Sequence, residues 1–536
     1  MGSICQYDVI ILGAGVAGLR TAELLLQTDK SLNVLVLEAR DRVGGRTNSF
    51  QHNNHSYDIG GQWVSPHQKN VMTLIDEIGL ETYSQNTNGT KVMEFAPDNR
   101  QTFSGFIPPI GFVQALKLQF IFWKLEYMMR QVPDMGVGLD LNKDYSKARE
   151  WDKISCEQWI NDNIASEDLK NLFRVSMSAI FCEHPKNISL LFMLMAFKSI
   201  GGIERALSVK GGAQEKKIYN SAYQIAMFLE KRVNELSQEP RAIRFNHTVS
   251  RVSDYDSYPV KVECDNGESF TCKYLVSTIP PPLCKEITYN PPLPKARQTL
   301  IDTASMGKVI KFLVFYESNL WAHHSNITKY SGEVISFGPG VSFVYDATLE
   351  NGSNPCIVGF FVGENALNWS KKRSDERKTH VTDFLFKTLG DGKDSRYLNP
   401  SEYIECDWSK EEFSKGGYSI VIPNKTSFLD YKDSLFKFIG RMHFAGSETA
   451  KDWVGYIDGA VGSAERVANE VLYQINPCKE TKVKTGVIDY NDSAFADDKN
   501  QKSVLSTIAT NYKHIINVGI IFIATYKVMQ YIAIKD

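Results

Sequence analysis

No two cysteines of this chain stand at C-x-x-C spacing, and the nine present among 536 residues are scattered and odd in number. That pattern excludes a disulfide framework and a zinc site, gives no reason to expect a metal centre, and suits a reducing compartment. Cys264 and Cys272, on either side of the turn signal Asp265-Asn266-Gly267, read as free thiols on two strands. A surplus of either charge is also missing. Sixty Lys and Arg stand against 62 Asp and Glu, a net charge of −2, which leaves no electrostatic footprint for a nucleic acid partner. A secretory leader is not expected, because the first strand-like run begins at Tyr7. Sequons such as Asn187-Ile188-Ser189 are then chance matches. What remains is an ordinary globular composition, 43% hydrophobic, in a chain long enough for two or three domains.

The organising stretch is Tyr7 to Gly18. An apolar run stops at Gly13, G-x-G-x-x-G opens a helix expected over Leu19 to Leu26, and a second apolar run, Val34 to Leu37, ends on Glu38. Strand, helix, strand and terminal acid together make the βαβ dinucleotide fingerprint. Gly13 permits the tight turn, Gly15 lets a pyrophosphate approach the backbone, and Gly18 brings the helix close to the strand. The helix N-terminus offers free N–H groups and a positive dipole end to the phosphates. Glu38, twenty residues beyond Gly18, is placed to accept hydrogen bonds from ribose hydroxyls. The following loop carries Arg40, Arg42 and Arg46 around Gly44-Gly45, a second clamp on a pyrophosphate. In Gly60-Gly61-Gln62-Trp63 the paired glycines let backbone lie flat against a planar ring.

Apolar spacing predicts an amphipathic helix over 68–79. Residues 86–214 read as helix-rich, with long apolar stretches at Phe112–Met129 and Leu190–Ile200, and end in a glycine turn carrying Gln214. A helix at 218–237 and strands near 247–252, 260–264 and 274–279 return to the α/β pattern, which residues 286–400 leave again. Within Gly307–Phe315, Lys311 interrupts an apolar run. It is either a surface edge residue or, facing a cavity, a functional amine with a lowered pKa. Trp408, Gly416-Gly417-Tyr418, the strand-to-turn run His443–Ala450 and a helix start at Trp453–Ala460 close the folded part. The expected division is a discontinuous nucleotide-binding domain (1–85, 215–285 and 401–476), a substrate-binding domain (86–214 and 286–400), a linker (477–512) and a C-terminal segment (513–536). In that segment Ile515–Ile534 are twenty mostly apolar residues broken by Asn517, Lys527 and Gln530. A bilayer takes about 20 residues to span, and Lys527 can snorkel. A single membrane anchor is expected, with an amphipathic or docked helix as the alternative.

These segments resemble the flavin-containing amine oxidases, and among them the monoamine oxidases, from Tyr7 to about Tyr473. The most specific stretches are Leu37–Thr47, Gly60–Trp63 and Phe444–Tyr456. The resemblance implies an α/β fold: a discontinuous Rossmann-like FAD-binding domain, an α+β substrate-binding domain and a C-terminal membrane helix. It implies FAD, with Gly13, Gly15, Gly18, Glu38, Arg40, Gly45 and Arg46 around ribose and pyrophosphate, and Val249 on the adenine. Gly446, Ser447 and Glu448 would follow the ribityl-phosphate, and Gly61, Gln62, Trp63 and Trp408 would be further cofactor contacts. Tyr456 and Ile457 would start a helix whose positive end favours negative charge at the flavin N1/C2=O edge.

The resemblance also marks Tyr418 and Tyr456 as an aromatic cage for a neutral amine, Lys311 as the holder of a water near flavin N5, and Gln214 as a pocket amide. The implied reaction is oxidative deamination of a primary or small secondary amine to an aldehyde, with hydride passing from the α-carbon to flavin N5 and O2 leaving as hydrogen peroxide. One position departs from the pattern. Before the cage tyrosine, where the animal monoamine oxidases carry a flavin-linked cysteine, stands Gly417, so FAD is expected without a covalent link. The outer mitochondrial membrane, cytosolic face, is the location the resemblance suggests. A putrescine or polyamine oxidase is the first alternative; polyamine enzymes often carry a histidine where this chain has Ser65. A catalytically silent, membrane-tethered flavoprotein is the second, and the tyrosine pair with Lys311 argues against it. The preferred amine and the oligomeric state, a homodimer included, stay open.

Overall fold

A computed structural model describes residues 6–96, 99–322 and 330–477. The expected C-terminal membrane segment, and all of the linker but Pro477, lie outside the described residues. Among the described residues no helix is long and apolar enough to cross a membrane.

The first apolar run forms β1 (Tyr7–Leu12), followed by α1 (Val16–Thr28) and β2 (Val34–Leu37). The helix starts three residues before the expected Leu19, because the backbone turns into it directly at Gly15. β1 and β2 pair in parallel from Val9↔Val34 to Leu12↔Leu37. On the other flank β1 pairs in parallel with β3 (Ser269–Ser277). Parallel strands are covered on both faces, which is why these runs are apolar at nearly every position rather than at alternate ones. The sheet continues in the order Ile243–Arg244, β2, β1, β3, Val260–Cys264, Val249–Ser253, Thr288–Asn290, with Met442–Phe444 beside the end of β3. Cys264 and Cys272 are free thiols within it, as expected.

The second sheet runs Glu402–Asp407, β4 (Val309–Phe315), Cys356–Val362, Phe343–Asp346, Tyr330–Ser336, Thr90–Ala96, Asn99–Phe103. Three elements depart from the sequence expectation. The hairpin at 90–103 sits in the segment read as helix-rich. Glu402–Asp407 joins this sheet from beyond the boundary set at 400, and Thr288–Asn290 joins the first sheet from beyond the boundary set at 285. In each case the pairing partner, not the local composition, decides membership.

The insertion supplies α2 (Gly111–Met129) and a helix at Leu190–Ile200. The latter stops where Gly201 takes a left-handed φ of 91°. The last element, α3 (Ile457–Ile475), packs against α1. Its first-turn Asp458 is tied to the helix at Lys69–Ile78, accepting from Val71 N–H (2.9 Å) and Asn70 Nδ2 (3.0 Å).

Candidate active site

A cavity of about 350 Å³ opens at the carboxyl ends of β1 and β2, where Leu12, Gly13, Leu37 and Glu38 line it. The same cavity is lined by Val309 and Lys311 of β4 and by Phe360 of the adjacent strand. The ends of parallel strands are where open α/β sheets bind ligands.

The three fingerprint glycines act differently. Gly13 has φ 101°, which a residue with a Cβ rarely adopts. A Cβ on Gly18 would lie 2.0 Å from the Gly13 carbonyl oxygen, so this glycine is the condition for α1 to sit on β1. A Cβ on Gly15 would meet nothing within 4 Å and would project into open space. Gly15 caps α1 without any side-chain hydrogen bond, leaving the first-turn amides uncapped beside the cavity. Open space over an uncapped helix N-terminus fits a pyrophosphate.

Glu38 is buried, and its two oxygens accept from Ala14 N–H (2.7 Å) and Arg40 N–H (2.9 Å). Each oxygen keeps a further lone pair for a hydroxyl donor. Arg40 donates to Ser414 Oγ (2.8 Å) and stacks over Phe413. Arg46 donates to Glu448 Oε1 (2.5 Å), Ser447 Oγ (3.3 Å) and the Tyr418 carbonyl (3.2 Å). One arginine therefore ties the early glycine loop to the two late segments. These residues fit FAD: an acid for ribose, two cationic arms and two uncapped helix starts, the second being α3 behind Tyr456 and Ile457.

Lys311 lies on the second strand of the second sheet, opposite Phe360 on one side and Cys406 on the other. It is 2% exposed, so the surface-edge reading does not hold: β4 has a partner on both sides. Its Nζ donates to the Gly60 carbonyl (2.7 Å) and to Gln62 Oε1 (2.5 Å), which leaves one donor of the ammonium for a group in the cavity. Burial pushes its pKa well below the ordinary 10.5, and the charge of nearby Asp58 opposes that shift. Asp58 is pushed up by its own burial, against Lys311 and hydrogen bonds from Ser221 and Ala222.

Tyr418 and Tyr456 both line the cavity. The Tyr418 hydroxyl donates to the Ala179 carbonyl, which fixes its ring against the helical insertion. Tyr456 packs edge-on to Trp453, centroids 5.3 Å apart. Burial raises both phenols far above their ordinary value, so neither brings a negative charge.

Gly13, Gly15, Glu38, Arg40, Gly45, Arg46, Gly61, Val249, Trp408, Gly446, Ser447 and Ile457 join these three around the cavity. Five expected site residues do not line it. Gly18 is inside the α1–β1 contact, and Gln62 is spent on Lys311. Trp63 packs near Tyr345 and Phe360 and donates to Gln85. Glu448 is paired with Arg46, and Gln214 donates to the Ala206 carbonyl (3.2 Å). Asp58, Phe360 and Thr278 went unnoticed in the sequence. Only Asp58 carried a signal, an acid inside the short strand before Gly60-Gly61.

A family profile described as flavin containing amine oxidoreductase matches residues 16–472. Amine oxidase [flavin-containing] B of Sus scrofa is 32% identical over 488 residues, 90% of this chain and 89% of that protein. A probable flavin-containing monoamine oxidase A of Dictyostelium discoideum is 30% identical over 467 residues, 87% of this chain and 97% of that one. Among solved structures, cyclohexylamine oxidase from Brevibacterium oxydans IH-35A superposes with a TM-score of 0.78 at 25% identity, over 88% of this chain and 99% of that one. Putrescine oxidase bound to putrescine also gives 0.78 at 25% identity, over 87% and 99%.

Proposed function

This chain belongs to the flavin-containing amine oxidoreductase family, and from that premise we propose that it oxidises primary or small secondary monoamines to aldehydes. Bound at this cavity, FAD would supply the acceptor for the two electrons of the amine α-carbon–hydrogen bond, with O2 as the final acceptor and hydrogen peroxide as its product. The protein has to present the amine neutral, with its lone pair free. Tyr418 and Tyr456 suit that task, since two uncharged ring faces orient an amine without holding it as ammonium. Wherever Lys311 carries its proton, its charge in the same cavity further disfavours a protonated substrate.

The observation that carries the monoamine reading is where the lining carboxylates are. Glu38 is bonded to Ala14 and Arg40, Asp265 adjoins Val249 through its N–H to the Thr248 carbonyl, Glu412 precedes the Phe413–Ser414 pair that holds Arg40, and Glu286 pairs with Lys415. Beside Lys311 and the tyrosines the lining is Val309, Phe360, Trp408 and Ile457. Among the described lining residues, a diamine's second ammonium meets no acid there. Benzylamine and tyramine are expected to bleach the flavin absorbance anaerobically, putrescine and spermine not. Faster bleaching by putrescine would replace this reading with the diamine one.

FAD is held here without a covalent link. Gly417 has no side chain to offer, and a Cβ there would lie 2.6 Å from Val309 Cγ1 and 3.3 Å from Cys182 Sγ. The Cys182 thiol, pushed up to about 12 by burial, does not ionise at neutral pH. Acid precipitation should leave all yellow colour in the supernatant, whereas a yellow pellet would show a bond. The apolar run Ile515–Ile534 supports a membrane anchor, and the likeness to the monoamine oxidases favours the outer mitochondrial membrane with the body on its cytosolic side.

A further inference from the structure

Twelve large apolar side chains are exposed among the described residues, and six of them fall between Val113 and Leu141. Four of the six lie on α2: Val113, Phe120, Trp123 and Tyr127, between 40% and 63% exposed. The outer face of α2 reads Val113, Lys117, Phe120, Lys124, Tyr127 in steps of four, three, four and three residues, with Trp123 and Arg130 alongside. Residues so spaced share one helix face. The opposite face, including Leu118, Phe122 and Leu125, is in the core.

The exposed face therefore alternates aromatic rings with cations. Phe120 and Trp123 meet edge-on at 5.4 Å, and Lys147 lies over the Tyr127 ring. The single acid of α2, Glu126, points inward and accepts from Ile203 N–H. Around the end of the helix Asp134 is paired with Lys198 and Asp140 with Lys143. A partner for this face must accept aromatic rings and supply negative charge. Two copies of the chain related by a two-fold would set cations against cations, since such an interface is self-complementary.

We propose that this face of α2 docks the catalytic body on an anionic phospholipid surface. Trp, Tyr and Phe settle at the headgroup boundary, with Lys and Arg reaching the phosphates. The surface is remote in sequence from the apolar run Ile515–Ile534 and does not require that run to insert.

The test reads α2 locally, in the full FAD-loaded chain. Lysines are acetylated with and without vesicles and quantified residue by residue by mass spectrometry. On vesicles containing about one-quarter phosphatidylserine, Lys117 and Lys124 are expected to be protected roughly tenfold relative to phosphatidylcholine alone, each basic contact contributing several-fold. Lys231, exposed on the helix at 223–236, should label equally in both. The double variant Phe120→Ser/Trp123→Ser, at exposed positions away from the cavity, should lose the protection while keeping its flavin absorbance and turnover. Equal labelling on both vesicle types, or protection that survives in the variant, overturns the proposal. Protection without vesicles that fades on dilution assigns the face to a second copy. Protection without vesicles at every dilution assigns it to the chain's own C-terminal run, and either result overturns the lipid reading.

Discussion

Gly18→Ala is expected to produce a chain that neither retains FAD nor melts at the wild-type temperature, while Gly15→Ala loses FAD alone. The two positions stand three residues apart in one motif, yet they fail for different reasons. At Gly18 the new methyl would meet a backbone oxygen at 2.0 Å. No rotamer relieves that contact, so α1 must lift from β1. Overpacking a fixed core costs about 1–3 kcal/mol and sometimes more, and here the displaced element also carries the phosphate-facing amides. About 3 kcal/mol corresponds to a weakening of FAD binding on the order of 100-fold. At Gly15 the methyl enters open space in the empty protein and obstructs only what binds there. The check is the ratio of flavin to protein absorbance after dialysis, together with thermal melting of the apoproteins. An unshifted apo melting point for Gly18→Ala would refute the packing account.

Lys311→Met is expected to slow the oxygen half-reaction about 100-fold, the scale set by removing one preorganised charged donor, while the amine half-reaction changes little. Methionine keeps the length and fills the slot in β4, so the second sheet should stay intact. What disappears is the ammonium held by Gly60 and Gln62 with one donor left for the cavity. The pH dependence gives an independent check. Burial lowers the lysine's pKa from 10.5, so the charged form prevails below the lowered value and is lost as pH rises through it. The wild-type oxygen rate should therefore fall with rising pH below 10.5, and the Met variant should show no such fall. Stopped-flow traces across pH measure both. A Met variant with the wild-type oxygen rate would remove Lys311 from the chemistry.

The site was partly legible in the linear sequence, and the legible part has a common character. Gly13, Gly15 and Glu38 could be placed because they belong to one continuous βαβ unit, where spacing alone dictates geometry. Tyr418 and Tyr456 could be pointed to only by resemblance, since nothing local distinguishes them from other tyrosines among the 24 in the chain. Gln62 and Glu448 stood in the right segments, yet their side chains turn to Lys311 and Arg46 instead of the cavity. Such pairings depend on which buried charge arrives opposite, and the partners are 249 and 402 residues away. The strands of the hairpin at 90–103 pair with each other, from Lys91↔Phe103 to Ala96↔Asn99, and only its place in the second sheet, beside Tyr330–Ser336, comes from a distant segment.

By itself, then, the sequence determined the first βαβ unit, the placing of Gly13, Gly15 and Glu38 at the cavity, and the apolar helices of the insertion, all set by periodicity and by glycines within a few tens of residues. Only the tertiary structure decided that Lys311 is interior, that the charge of Asp58 acts on it, and that one arginine joins the two ends of the chain at the cavity. The physical reason is that burial and charge pairing are properties of what packs around a residue. In this fold the neighbours of β4 come from segments about 45 and 90 positions further along, and no local pattern encodes them.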